Sequence, residues 1–203
     1  MHIAVIADQH LMDHFNHETA LQVRQYSTPN SIDIPPDAIF YLLDEETLPG
    51  DVSILSGFQC PIIVNAVTTT LDALPLRFSR INAWPGFLQR TLKEVVASET
   101  DLDFLKKLYD LLGWQYRFVA DQPGMIAARI IAMIINEAWF AYTDGVSSQE
   151  AINQAMKLGT NYPYGPFEWG NKIGLKKIST LLLRLSEEQV RYTPAPLLLK
   201  NVN

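Results

Sequence analysis

A chain of 203 residues can bury one large core or two small ones, and 48% hydrophobic with 19% charged residues is an ordinary globular composition. The net charge of -6 argues against a nucleic-acid groove or an anionic membrane surface as the main partner. Cys60 is the single cysteine, which excludes an internal disulfide, and the opening MHIAVIADQHLMDHF lacks the basic start of a signal peptide. The most apolar stretch, residues 125–142, is interrupted by Arg129, Asn136 and Glu137 and is too polar and too short for a membrane span. The expectation is a soluble, cytoplasmic protein with neither nucleic acid nor membrane as partner.

The first hundred residues alternate short β-type runs with turns. Residues 2–7 (HIAVIA) read as a buried strand, followed by runs at 21–27, 38–43 (AIFYLL), 52–55 and 61–67 (PIIVNAV). Residues 8–20 leave room for one helix, and STPNSIDIPPD and DEETLPGD read as loops rich in proline and acids. This pattern predicts an α/β layer on a mainly parallel sheet, too small for two complete mononucleotide-binding halves.

From about residue 98 the period becomes helical. Thr100 and Asp103 form a capping-box pattern ahead of Leu102, Leu105, Leu108 and Leu112, with Gly113 as the stop. An extended stretch (WQYRFVADQPG) precedes a long apolar helix over 125–142, ended by Asp144-Gly145. Ser147 and Glu150 cap the next helix, which runs through Leu158 to Gly159. NYPYGPFEWGNKIG reads as a loop leading into one or two further helices and a Pro-containing tail. The expected division is an α/β layer over 1–97 and a helical domain over 98–203.

The helical half carries DQPGMIAARIIAMIINEAWFAYTDGVSSQEAINQAMKLGTNYPYGPFEWGNKIGL, then RYTPAPLL, with KEVVAS upstream. In order and spacing this resembles the 3-hydroxyacyl-CoA dehydrogenases, with their D-x-P-G-F-I-x-N-R, N-E-A and P-x-G-P-F patterns, over roughly residues 77 to 200. The resemblance implies a reduced Rossmann-like α/β layer followed by an all-α helical domain of the 6-phosphogluconate-dehydrogenase C-terminal type. It also implies NAD as cofactor, an acyl-CoA ligand, and a homodimer held through the helical domain. Most of the matched residues have a structural role open to them. Pro123 and Gly124 punctuate a helix start, Gly145, Gly159 and Gly174 suit turns, and Ala155 and Met156 suit a core.

The same resemblance sets the site residues. RFSRINAWPGFLQRTLKEVVAS can be laid over the family's catalytic segment without a gap. Glu94 then falls on the family's glutamate, and Asn82 stands twelve residues earlier where the family has its general-base histidine. Asparagine hydrogen-bonds but accepts no proton, and such a base is worth about 10²–10⁴ in rate. The family's serine falls on Thr69 in NAVTTTL, and its asparagine on Ala128. In the first turn, Ala7, Gln9 and Met12 occupy the three positions of the G-x-G-x-x-G phosphate turn, where side chains obstruct the backbone approach. Asp8 adds a charge that repels phosphate and a carboxylate suited to capping the helix. RQYSTPN offers no acid for a ribose at the end of the second strand. NAD is therefore expected not to bind, and Glu94 reads first as a packing carboxylate.

Three functions stand open on this sequence. One is a family descendant with lost or strongly reduced catalysis that keeps a dimeric scaffold. Another is an active NAD-dependent 3-hydroxyacyl-CoA oxidoreductase with atypical site residues. The third is a metal-binding protein using His10, His14 and His17 with Asp13, spaced along one helical face, although a solvated helix face accounts for the same residues.

Overall fold

The computed structural model describes residues 1–15 and 21–202. The chain separates into two compact units, Met1–Met125 and Ile126–Asn203.

The first unit is built on a seven-stranded sheet of β1 (His2–Ile6), β2 (Gln22–Tyr26), β3 (Ala38–Tyr41), β4 (Ile62–Val64), β5 (Phe78–Ile81), β6 (Leu92–Val96) and β7 (Gln115–Phe118). The order across the sheet is β2-β1-β3-β4-β5-β6-β7, and every neighbouring pair is parallel except β5 with β6. Strand β1 therefore has β2 on one side and β3 on the other. The winding reverses between β1 and β3, and a crevice at the carboxyl ends of the strands follows from that reversal.

Alternation along the strands divides two cores. Ile3, Val5, Phe40, Ile63 and Ile81 face one side, under Leu105, Leu108, Tyr109 and Leu112 of α3 (Leu102–Leu111) and its stop. Ala4, Ile6, Ile39, Tyr41, Ile62 and Val64 face the other, under Leu48 and Leu55 of α2 (Leu48–Leu55). Residues buried on both faces explain why these strands read as near-continuous apolar runs.

Several expectations shift. Residues 52–55 are not a strand but the end of α2, because Leu48, Val52 and Leu55 recur at helical spacing behind Pro49. The boundary moves from residue 98 to 125, since α3 packs into the sheet's own core and β7 pairs with β6. Strands β5 and β6 went unread because their buried positions include Ser79 and Arg80 and their edges Lys93 and Glu94. The capping box of α3 does not form: Asp101 is the N-cap without a side-chain bond, and Thr100 bonds Ser98 instead. Gly113 does take the left-handed conformation of a helix stop, at φ 66°.

The second unit is helical: α4 (Ala127–Thr143), α5 (Gln149–Thr160), α6 (Pro166–Ile173), α7 (Leu175–Ser186) and α8 (Pro196–Lys200). Ser148, not Ser147, caps α5, its hydroxyl accepting from Ala151 N at 3.2 Å. Helix α5 runs through Gly159 and stops at Asn161, which takes the left-handed conformation. The expected loop 161–174 contains α6, because Pro166 opens a turn whose first free N–H, on Gly165, donates to the Glu168 carboxylate at 2.8 Å. Among the described residues no helix is long and apolar enough to cross a membrane.

Candidate functional site

Three of the expected residues lie in the first unit, Asn82 just after β5, Glu94 on β6 and Thr69 in the loop after β4. Antiparallel pairing of β5 with β6 sets Asn82 opposite Glu94, and the Asn82 N–H donates to the Glu94 carbonyl at 3.3 Å. Asn82 is buried, its Oδ1 accepts from Trp84 N at 3.3 Å, and its Nδ2 has no partner among the described residues. Glu94 is half-buried on β6. Thr69 lies in the loop after β4, and its N–H donates 2.6 Å to Glu45. Ala128, by contrast, is a fully buried methyl on α4 in the second unit.

The loop after β4 is held by residues that sequence reasoning passed over. Asn65 closes its start: Nδ2 donates to Leu43 O at 3.3 Å and Oδ1 accepts from Ala83 N at 3.1 Å, tying β3, β4 and the Asn82 segment together. Arg80, with no solvent exposure, donates from Nε to Ala66 O at 2.9 Å and from Nη2 to Val67 O at 3.1 Å, and pairs with Asp121. Burial pulls this guanidinium below its ordinary basicity and Asp121 opposes the pull. Asp121 also accepts from Leu71 N at 2.8 Å, and Gly124 N, at a positive φ of 79°, donates to Val67 O at 2.7 Å. The matched D-Q-P-G motif is thus a clip on this loop. An arginine inside the apolar strand FSRI was the available signal, since a buried charge requires partners.

Tyr41, at the end of β3, hydrogen-bonds Thr47 at 2.8 Å and donates to Asp51 at 2.9 Å, and burial pushes it up to about 12.

The first βα turn runs from the end of β1 into a short helix. Helix α1 (Gln9–Met12) has only four residues, so few N–H groups and little dipole face a ligand. Ala7 is buried, its carbonyl accepting from Gln25 Nε2 at 2.8 Å, and Gln9 and Met12 bring side chains where glycines would be. The Asp8 carboxylate makes no capping bond, contrary to expectation: Leu11 N donates to its backbone carbonyl at 3.0 Å. At the end of β2 an acid does arrive, from a later loop. Asp33 accepts from Tyr26 at 2.9 Å and pairs with Arg24 at 3.1 Å, and the Tyr26 bond holds its carboxyl below the ordinary value. These residues do not fit a pyrophosphate. Among the described residues no group of three metal-ligating side chains occurs, and α1 stops at Met12 before a 3₁₀ turn at Asp13–Phe15. That stop breaks the single helical face expected for His10 and His14; His17 lies outside the described residues.

The architecture is a doubly wound sheet followed by a helical unit. Residues 124–203 match the model of the 3-hydroxyacyl-CoA dehydrogenase C-terminal domain. The chain is 49% identical over 82 residues to 3-hydroxyadipyl-CoA dehydrogenase of Escherichia coli, covering 39% of this chain and 17% of that one. It is 36% identical over 168 residues to a probable 3-hydroxybutyryl-CoA dehydrogenase of Bacillus subtilis, covering 81% and 58%. Its structure matches (S)-3-hydroxybutyryl-CoA dehydrogenase of Ralstonia eutropha with a TM-score of 0.71 and 25% identity, over 89% of this chain and 69% of that one. Residues 124–203 carry the 3-hydroxyacyl-CoA dehydrogenase C-terminal domain, and over most of its length the chain is similar to members of that NAD-dependent family. It spans 17 to 58% of the length of the first four curated relatives it matches.

Proposed function

We propose that this chain is a family member whose hydride transfer is lost or strongly reduced, and which serves as a dimeric scaffold able to hold an acyl-CoA. The observation that carries the reading is the first βα turn, where Ala7, Asp8, Gln9 and Met12 on a one-turn helix replace a glycine-rich grip. Asn82 in place of a titrating base supports it. Calorimetric titration with NADH and, separately, with acetoacetyl-CoA tests the two ligands without assuming turnover. The expected result is no saturable NADH binding; micromolar NADH binding with acetoacetyl-CoA reduction would overturn the reading.

The dimer rests on α4. One face of this helix is buried by its own unit through Ala128, Ile131, Ala132 and Ile135. Its other side opens on a groove of about 760 Å³ lined by Ile130, Met133, Ile134 and Ala138. Arg129, Glu137 and Arg191 line the same groove, so charges of both signs are present for a self-complementary two-fold contact. Ile130 is 54% exposed, an unfavourable position for a large apolar side chain unless a second copy covers it. Light scattering should give twice 22.9 kDa at micromolar concentration, and a monomer mass would refute the dimer.

A further inference from the structure

The loop after β4 turns three consecutive backbone N–H groups onto one carboxylate. Glu45 Oε2 accepts from Val67 N at 2.8 Å and Thr68 N at 2.9 Å, while Oε1 accepts from Thr69 N at 2.6 Å and Thr68 N at 3.2 Å. Successive amides converging in this way form a concavity for an anion. Both oxygens are engaged, so the fit is to a planar carboxylate.

The two partners differ in how they are held. The amides belong to a loop fixed independently of Glu45: Asn65 ties its start, Arg80 and Gly124 take its carbonyls, and Asp121 takes Leu71 N. The fully buried Arg80 cation backs this loop, and Glu45 and Asp72 are near enough to favour its charged form. Glu45 instead stands on a short 3₁₀ turn, Glu45–Thr47, and is only half-buried. Thr68 and Thr69 are half-buried too, so the concavity borders solvent. It also lies at the carboxyl ends of β3 and β4, where open parallel sheets take their ligands.

We propose that the amides of Val67, Thr68 and Thr69 are a carboxylate-binding site, that Glu45 is its tethered resident, and that an external small carboxylate enters only when Glu45 leaves. A tethered group acts at an effective concentration in the millimolar range or above, so the intact chain excludes weak competitors. The inference holds whether or not an acyl-CoA binds elsewhere in the crevice.

The test follows the three amides in ¹H–¹⁵N correlation spectra of the full chain, its Glu45→Ala variant and its Glu45→Ser variant. Sodium acetate is titrated against sodium chloride at equal ionic strength. In the native chain these amides should not respond to acetate. In both variants they should start displaced from their native positions and return toward them saturably with acetate and not with chloride. Native amides that titrate as the variants do would overturn the proposal. So would folded variants whose amides ignore acetate, or answer chloride equally. Should a variant lose its folded spectrum, recovery in acetate but not chloride supports the site, and recovery in neither overturns it.

Discussion

The helical unit and the sheet's crevice have departed from the family pattern to different extents, yet their polar residues behave alike. In the helical unit the matched residues hold one another. Asn136, of the N-E-A motif, donates to Thr193 O at 2.9 Å and accepts from Ala195 N at 2.7 Å, both in the matched RYTPAP segment. Asn153 accepts from Phe167 N at 2.9 Å and so joins α5 to α6. In the crevice, where a ligand would need free donors and acceptors, Arg80, Asp121, Asn65 and Glu45 are likewise spent on the chain's own backbone. The comparison teaches that matched residues of the helical unit hold one another, and that Arg80, Asp121, Asn65 and Glu45 of the first unit are engaged by the chain's own backbone.

The comparison is most severely tested by Arg80→Met. If the crevice is held by this buried cation, removing it strands Asp121 and two loop carbonyls and should cost about 3–5 kcal/mol in urea unfolding. A loss no larger than that of a surface substitution would mean that the loop is held otherwise. In the helical unit, Gly165→Ala should cost about 3 kcal/mol, because a Cβ there would stand 2.5 Å from the Asn153 Cα. A near-neutral result would show that α5 and α6 can part freely. Asn136→Ala should cost about 2 kcal/mol by leaving Thr193 O and Ala195 N without their partner. Limited proteolysis should then cut the tail near residue 193 faster than in the native chain. Ile130→Glu should leave the fold nearly unchanged, since Ile130 is 54% exposed, while halving the mass seen by light scattering. An unchanged dimer would move the contact away from α4.

The strands of strongest apolar character, β1, β3 and β4, were legible from composition alone because both their faces are buried. So were α4 and α5, whose periodicity runs for three turns or more. Helix α2 was hidden by its brevity, and α6 by the Pro-Gly punctuation that in fact begins it. Strands β5 and β6 carry Arg80 and Glu94, whose placement depends on partners distant in sequence, whereas β7 lies within the stretch read as extended. The site shows the same limit. Asn82, Glu94 and Thr69 could be placed by likeness to a family, and pairing of β5 with β6 does bring the first two together. Glu45 sits 22 to 24 residues from the amides it holds, and Arg80 and Asp121 are 41 apart, so no local pattern announces either contact.

The central claim is that the first βα turn no longer grips a dinucleotide, and calorimetric titration of the intact chain with NADH tests it most directly. The account predicts no saturable heat up to millimolar NADH, in the native chain and in Asn82→His alike, since a restored base leaves the turn unchanged. Saturable binding in the micromolar range by the native chain would contradict it.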